Sequence, residues 1–178
     1  MCGNTLPTYF GGWLNSLYYK GFDLNLFFQY SGGNYIYNGM RATGSDMRFW
    51  NNTRDVLENH WTETNRNAKY AEPYYGDNVS NGSAYFMSDD VEKGDYIRFK
   101  NISLGYTFNP KKWFGNSEFK ISSLRVYIQA QNLFTITGYT GLDPETITKA
   151  DYPILMGGID KNTLPQARTY TFGLNISF

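Results

Sequence analysis

The last eleven residues, Arg168–Phe178, alternate almost without interruption: Tyr170, Phe172, Leu174, Ile176 and Phe178 against Thr169, Thr171, Gly173, Asn175 and Ser177. A period of two sustained that long makes a strand whose two faces meet different environments, and no helix distributes side chains this way. Three other stretches repeat it. Residues 22–30 set Phe22, Leu24, Leu26, Phe28 and Tyr30 against Asp23, Asn25 and Gln29, with Phe27 the exception. Residues 98–108 set Ile102, Leu104, Tyr106 and Phe108 against Asn101, Ser103, Gly105 and Thr107. Residues 124–131 set Leu124, Val126, Ile128 and Ala130 against Arg125, Tyr127, Gln129 and Gln131. A fifth, less regular strand over about 9–19 meets the second through Lys20-Gly21, a two-residue hairpin signal. That turn pairs Tyr19 with Phe22, Leu17 with Leu24 and Trp13 with Phe28, and it sets Asn15 on the apolar face opposite Leu26.

Composition narrows the class. Tyr, Phe and Trp make 19% of the 178 residues and Gly adds 18 more, which suits a β-rich chain with many turns rather than a helical bundle or a disordered tail. Sixteen basic against sixteen acidic residues give a net charge of zero, so no basic footprint argues for nucleic acid. The single cysteine, Cys2, excludes an internal disulfide framework and a CxxC metal or redox motif. Apolar runs last only a few residues, so no transmembrane helix is expected. The opening Met-Cys-Gly-Asn-Thr-Leu-Pro has neither a basic start nor an apolar core, so no signal peptide is expected there, a lipoprotein role for Cys2 lacks its upstream signal, and Met1 is read as an internal start within a longer gene.

The connections run short, long, short, long: a tight turn at 20–21, about 65 residues (31–95), about 12 (109–120) and about 32 (135–166). Outer-membrane barrels alternate this way, with short periplasmic turns and long extracellular loops, which would leave Phe178 on the periplasmic side. Ten residues rising roughly 3.3 Å each and tilted about 45° cover ~23 Å, close to the apolar band of such barrels. A soluble β-sandwich also alternates, but loops this long are unusual in one. The polar faces also carry Asn, Ser, Thr, Gln and Gly with few charges, where a water-facing sheet would carry more Lys and Glu.

More specific phrases accompany the pattern. Tyr96-Ile-Arg-Phe-Lys-Asn-Ile-Ser-Leu-Gly-Tyr106, Arg125-Val-Tyr-Ile-Gln-Ala-Gln-Asn-Leu-Phe-Thr135 and Tyr139-Thr-Gly-Leu-Asp-Pro-Glu145 resemble the C-terminal strands of SusC/RagA-type TonB-dependent outer-membrane transporters. Tyr19-Lys-Gly-Phe-Asp-Leu24 and His60-Trp-Thr-Glu-Thr-Asn65 match as well, and Arg168–Phe178 is similar to the family's last barrel strand, its terminal aromatic resembling the barrel-assembly signal. The resemblance implies an all-β fold: about five C-terminal antiparallel strands of a 22-stranded transmembrane barrel, at about 9–19, 22–30, 96–108, 121–134 and 167–178, with long extracellular loops at 31–95 and 135–166. It implies TonB-dependent import of oligosaccharides or peptides with a SusD-like surface lipoprotein. The implied partners are the rest of the barrel and plug, outer-membrane lipid, and the TonB complex through a plug and TonB-contacting segment absent from these residues. The expected location is the cell outer membrane. A five-stranded sheet leaves two unpaired edges, which hydrocarbon does not tolerate, so a fragment of a longer protein is expected. The competing reading is a soluble extracellular β-domain for carbohydrate binding or adhesion.

No catalytic, cofactor or metal site is expected. His60 has no second histidine or cysteine nearby and reads as a loop-packing residue. Asp89, Asp90, Glu92 and Asp95 offer oxygens for Ca²⁺ but lack the spacing of a calcium loop, and read as a solvated apex. Asp143-Pro144-Glu145 reads as a turn fixed by proline rather than a glycosidase pair. Gly32-Gly33 and Gly157-Gly158 lack a phosphate-loop frame. Phe49, Trp50, Trp61, Tyr70, Tyr74, Tyr75, Tyr85 and Phe86 in the long loop either stack on sugars or pack the loop against itself and the membrane interface.

Overall fold

The computed structural model describes residues 3–46, 48, 52–76, 87–109, 121–145 and 158–178. In chain order its strands are β1 (Tyr9–Tyr19), β2 (Phe22–Gly32), β3 (Tyr35–Asn38), β4 (Val91–Lys93), β5 (Tyr96–Phe108), β6 (Ser123–Thr137), β7 (Ile159–Asp160) and β8 (Thr169–Ser177). Two short helices, α1 (Gly39–Gly44) and α2 (Arg54–Glu58), follow β3. Among the described residues no helix is long and apolar enough to cross a membrane. The chain forms two compact units: a sheet unit of Tyr9–Gly32, Tyr96–Thr137 and Gln166–Phe178, and a loop unit of the intervening segments.

The sheet unit is a five-stranded antiparallel sheet in the order β1-β2-β5-β6-β8, with an open edge at each side. Lys20 and Gly21 both take positive φ, 48° and 91°, which is the twist a two-residue hairpin turn demands. The register is the one that turn dictates: Tyr19 faces Phe22, Leu17 faces Leu24 and Trp13 faces Phe28. Asn15 does lie opposite Leu26 on the apolar face, and no hydrogen bond from its amide to a described residue explains it. The strictly alternating stretches join into continuous rows, such as Leu24, Leu104, Ile128 and Phe172.

One irregularity interrupts the period. The β2–β5 and β5–β6 registers both shift between Phe99 and Asn101, bulging Lys100 and, opposite it, Asn132 and Leu133. Asn132 takes φ 53° to make the bend. Beyond the bulge β6 continues through Thr137, pairing with Tyr96–Arg98, and is longer than the stretch whose phase is visible in sequence.

The 31–95 connection is not a plain loop. Its first two residues complete β2, and described residues beyond them form β3, α1, α2 and β4. In the loop unit β3 pairs with β4 antiparallel and with β7 parallel, making a small sheet in the order β4-β3-β7. Ile36 is fully buried in it, and Val56 of α2 packs with Tyr70 as a second small core.

Candidate functional site

The sheet has an apolar and a polar side, with Phe10, Leu14, Tyr18 and Phe27 of β1 and β2 as exceptions on the polar one, and its exposures run opposite to those of a water-soluble protein. On the apolar face Leu17, Phe22, Leu104, Ile128, Phe172 and Leu174 are all exposed, Phe172 to 72%. On the polar face Asp23, Arg98 and Ser103 are buried. Aromatic side chains gather at two levels of the apolar face. Phe22, Tyr106 and Phe108 touch near the hairpin end, with centroids 4.5 Å apart. Trp13, Phe28, Phe99 and Phe134 form a chain of ring contacts near the other end, at 5.8, 4.5 and 5.5 Å. Aliphatic rows separate the two levels. Leaving such a face in water forfeits about 25 cal/mol per Å² of apolar surface, so the face is built for hydrocarbon or a cover of similar chemistry.

The polar face is cross-linked. Arg125 of β6 reaches across β5 to Asp23 of β2, its Nε donating to Oδ1 at 2.9 Å and its Nη2 to Oδ2 at 2.5 Å. The bridge passes over Gly105, where any Cβ would lie 2.5–2.7 Å from the two charged ends. Arg125 also lies over the Tyr127 ring at 4.8 Å, and that ring covers Gly173, where a Cβ would lie 2.2 Å from it. Gln129 donates to Asn101, Gln29 to the Tyr96 hydroxyl, and Ser16 to Asn25. These bonds tie polar side chains of neighbouring strands to one another.

The loop unit is organised by Glu92. Its Oε1 accepts from Asn38 at 3.1 Å, Arg41 at 3.0 Å and the Thr140 hydroxyl at 2.7 Å, while Oε2 accepts the Thr140 N–H at 2.8 Å. Arg41 also holds Asp90 through Nε at 3.1 Å. Burial, helped by the neighbouring Asp89 and Glu92, raises the Asp90 carboxyl in spite of Arg41. Tyr139 donates to the fully buried Asp160 at 2.7 Å, and burial drives its phenol well above the usual range. Separately, Asp55 accepts from Lys69 and Tyr70 at 2.7 Å each and from Asn59, and these bonds bring its carboxyl down to about 2.

The residues singled out in the sequence fall into place differently. The acidic run is dispersed: Asp90 and Glu92 turn to Arg41, and Asp95 accepts the Gly33 N–H at 2.7 Å. His60 places Nδ1 against the carbonyls of Val56 and Leu57, closing α2. Asp143 accepts the Glu145 N–H across Pro144, tying a local turn. Of the loop aromatics, Tyr70 packs inside while Trp61, Tyr74 and Tyr75 are exposed; Phe49, Trp50, Tyr85 and Phe86, like Cys2 and Gly157, lie outside the described residues. Sequence reasoning missed the Asp23–Arg125 pair and the Glu92 hub. The first had a signal: Asp23 and Arg125 are the lone charges in their alternating stretches.

The chain is 36% identical over 180 residues to TonB-dependent receptor P3 of Formosa agariphila, covering 99% of this chain and 17% of that protein. It is 28% identical to TonB-dependent receptor SusC of Bacteroides thetaiotaomicron, over 94% of this chain and 15% of that one. Among solved structures, the RagAB peptide importer in its closed-closed state superposes with a TM-score of 0.76 at 28% identity, covering 98% of this chain and 18% of that one. No family model matches. The chain thus spans about a sixth of the length of the relatives it matches, and those relatives are receptors and importers, not enzymes.

Proposed function

Because the chain fits a SusC/RagA-type TonB-dependent receptor over nearly its whole length, we propose that it supplies barrel wall and extracellular loops to an outer-membrane, TonB-dependent importer of oligosaccharides or peptides. The carrying observation is the inverted sheet, with Phe172, Ile128 and Leu17 exposed on one face and the Asp23–Arg125 pair held on the other. In this reading the apolar face meets lipid, its two aromatic levels sit at the two interfaces, and the polar face lines the lumen around the plug. The Lys20-Gly21 turn and the C-terminus lie on the periplasmic side, and the 31–95 and 135–166 connections serve as extracellular loops for a SusD-like lipoprotein. TonB coupling belongs to segments outside these residues.

A soluble β-module for carbohydrate binding or adhesion would need that apolar face covered by something other than lipid. Fractionation separates the two readings. An antibody raised to residues 52–76 is expected to detect, in outer membranes of the source cells, a band several times larger than 20.5 kDa that shifts on boiling. A soluble band at 20.5 kDa would overturn the importer reading.

A further inference from the structure

The apolar side of the sheet carries a groove of about 460 Å³, lined by Ile102 and Leu104 of β5 and by Tyr170 and Phe172 of β8. Ala130 of β6 lies between them, in register with Ile102 on one side and Tyr170 on the other, and its single methyl leaves the space open. Arg168 stands two residues before Tyr170, in the alternation that sets Tyr170 and Phe172 on the apolar side. It is exposed and makes no hydrogen bond or ion pair with a described residue. Lys100, in the bulge of β5, donates Nζ to Gln166 at 3.1 Å, so a second cation reaches the segment leading into β8. Arg125 of the same sheet, by contrast, is matched by Asp23.

A smooth apolar wall holds no lipid in preference to its neighbours, because every chain makes the same contacts. A groove touches a chain on three sides and gains dispersion contacts that a flat face does not. An unmatched guanidinium beside an apolar face is costly to hold near hydrocarbon. A phosphate removes that cost by accepting two parallel N–H bonds from the arginine. A neutral head group would leave the charge unmatched, and a zwitterionic one brings a cation of its own. We propose that the groove seats one acyl chain of an anionic, phosphate-bearing lipid of the outer leaflet, with the phosphate against Arg168 and Lys100. The proposal rests on the importer reading, which sets the apolar side against lipid and the 135–166 connection outside. It deepens that reading by naming one lipid site and the chemistry of its occupant.

The test titrates the full-length transporter, in an uncharged detergent, with diphosphoryl lipid A and separately with its dephosphorylated form, and counts bound lipid by native mass spectrometry. Wild type is expected to bind diphosphoryl lipid A saturably, and roughly 10-fold or more tightly than the dephosphorylated form. Arg168→Gln should weaken that binding roughly 10-fold, the size of one hydrogen bond to a charged group. Ala130→Leu fills the floor of the groove, leaves both cations in place and should weaken binding as well. Lys20→Gln, at the hairpin end, should leave it unchanged, which separates the site from a general effect of charge. No saturable binding, equal affinity for the two lipids, binding that neither Arg168→Gln nor Ala130→Leu changes, or an equal loss in Lys20→Gln overturns the site. If one of the two groove variants fails to fold, the other decides. Outer-membrane location checks the importer reading separately, so a transporter found there that does not distinguish the two lipids sinks the lipid site alone.

Discussion

Glu92 and Asp90 both face Arg41, yet they should respond differently to losing their charge. Glu92 is 12% exposed at its side chain and receives four donors on its two oxygens, and glutamine cannot accept all of them. Glu92→Gln should therefore cost ~1.5–3 kcal/mol, the size of a hydrogen bond to a charged group. Burial, with Asp89 and Glu92 nearby, leaves the Asp90 carboxyl raised despite Arg41, so its charge is disfavoured where it sits, and Asp90→Asn, which keeps an acceptor for Nε, should cost less than Glu92→Gln. Hydrogen exchange of the β3 and β4 amides in the full-length protein reads the difference, and equal losses in the two variants would contradict it. Asp55 gives a pH prediction. Its folded-state carboxyl is depressed to about 2 from 3.8, so its contribution is complete above about pH 4 and is lost as pH falls through 2. Pepsin digestion across that window should cut the 52–76 segment increasingly in wild type and with a weaker pH dependence in Asp55→Asn. Solvent screening makes this a local effect, since the Asp55 side chain is 45% exposed.

At the scale of the element, the alternating runs carry the sheet. Where period two is unbroken, as in 101–108 and 169–178, it decides which side chains share a face, because a one-residue slip would turn the whole apolar set around. Legibility ended at the bulge. Lys100, Asn132 and Leu133 break the phase, and the continuation Thr135–Ile136–Thr137 becomes recognisable as strand only when Tyr96–Arg98 is seen opposite. The loop unit was illegible for a related reason: its strands are two to four residues long, too short to show a period, and Glu92 meets Arg41 and Thr140 across separations of 51 and 48 residues. The two faces predict opposite tolerances. Ile128→Lys, on the apolar face, should destabilise the barrel by ~2–4 kcal/mol at mid-bilayer, whereas Thr171→Lys, opposite Gln129 on the polar face, should fall within about 0.5 kcal/mol. Urea titration of heat-modifiable mobility on gels reads both, and similar losses at the two positions would contradict a lipid-facing apolar side.

For the whole molecule, the deciding fact is that β1 and β8 are both edges. Each presents one ladder of backbone N–H and C=O groups with no strand against it, and in hydrocarbon each unsatisfied group costs several kcal/mol. Eleven residues of β1 and nine of β8 multiply that cost far beyond the ~5–15 kcal/mol by which a domain is stable. Salt bridges such as Asp23–Arg125 lie inside the sheet and do nothing for its rims. The sheet therefore needs neighbours at both edges, either further strands that close a barrel or copies of itself. The 178 residues produced alone and refolded in detergent should accordingly form aggregates or edge-paired oligomers, while a gene product of the relatives' length should be a single heat-modifiable species. Light scattering on the size-excluded protein distinguishes these. A monodisperse 20.5 kDa monomer of the segment in detergent would mean that its rims are satisfied from within, and that closure by further strands is not what the fold requires.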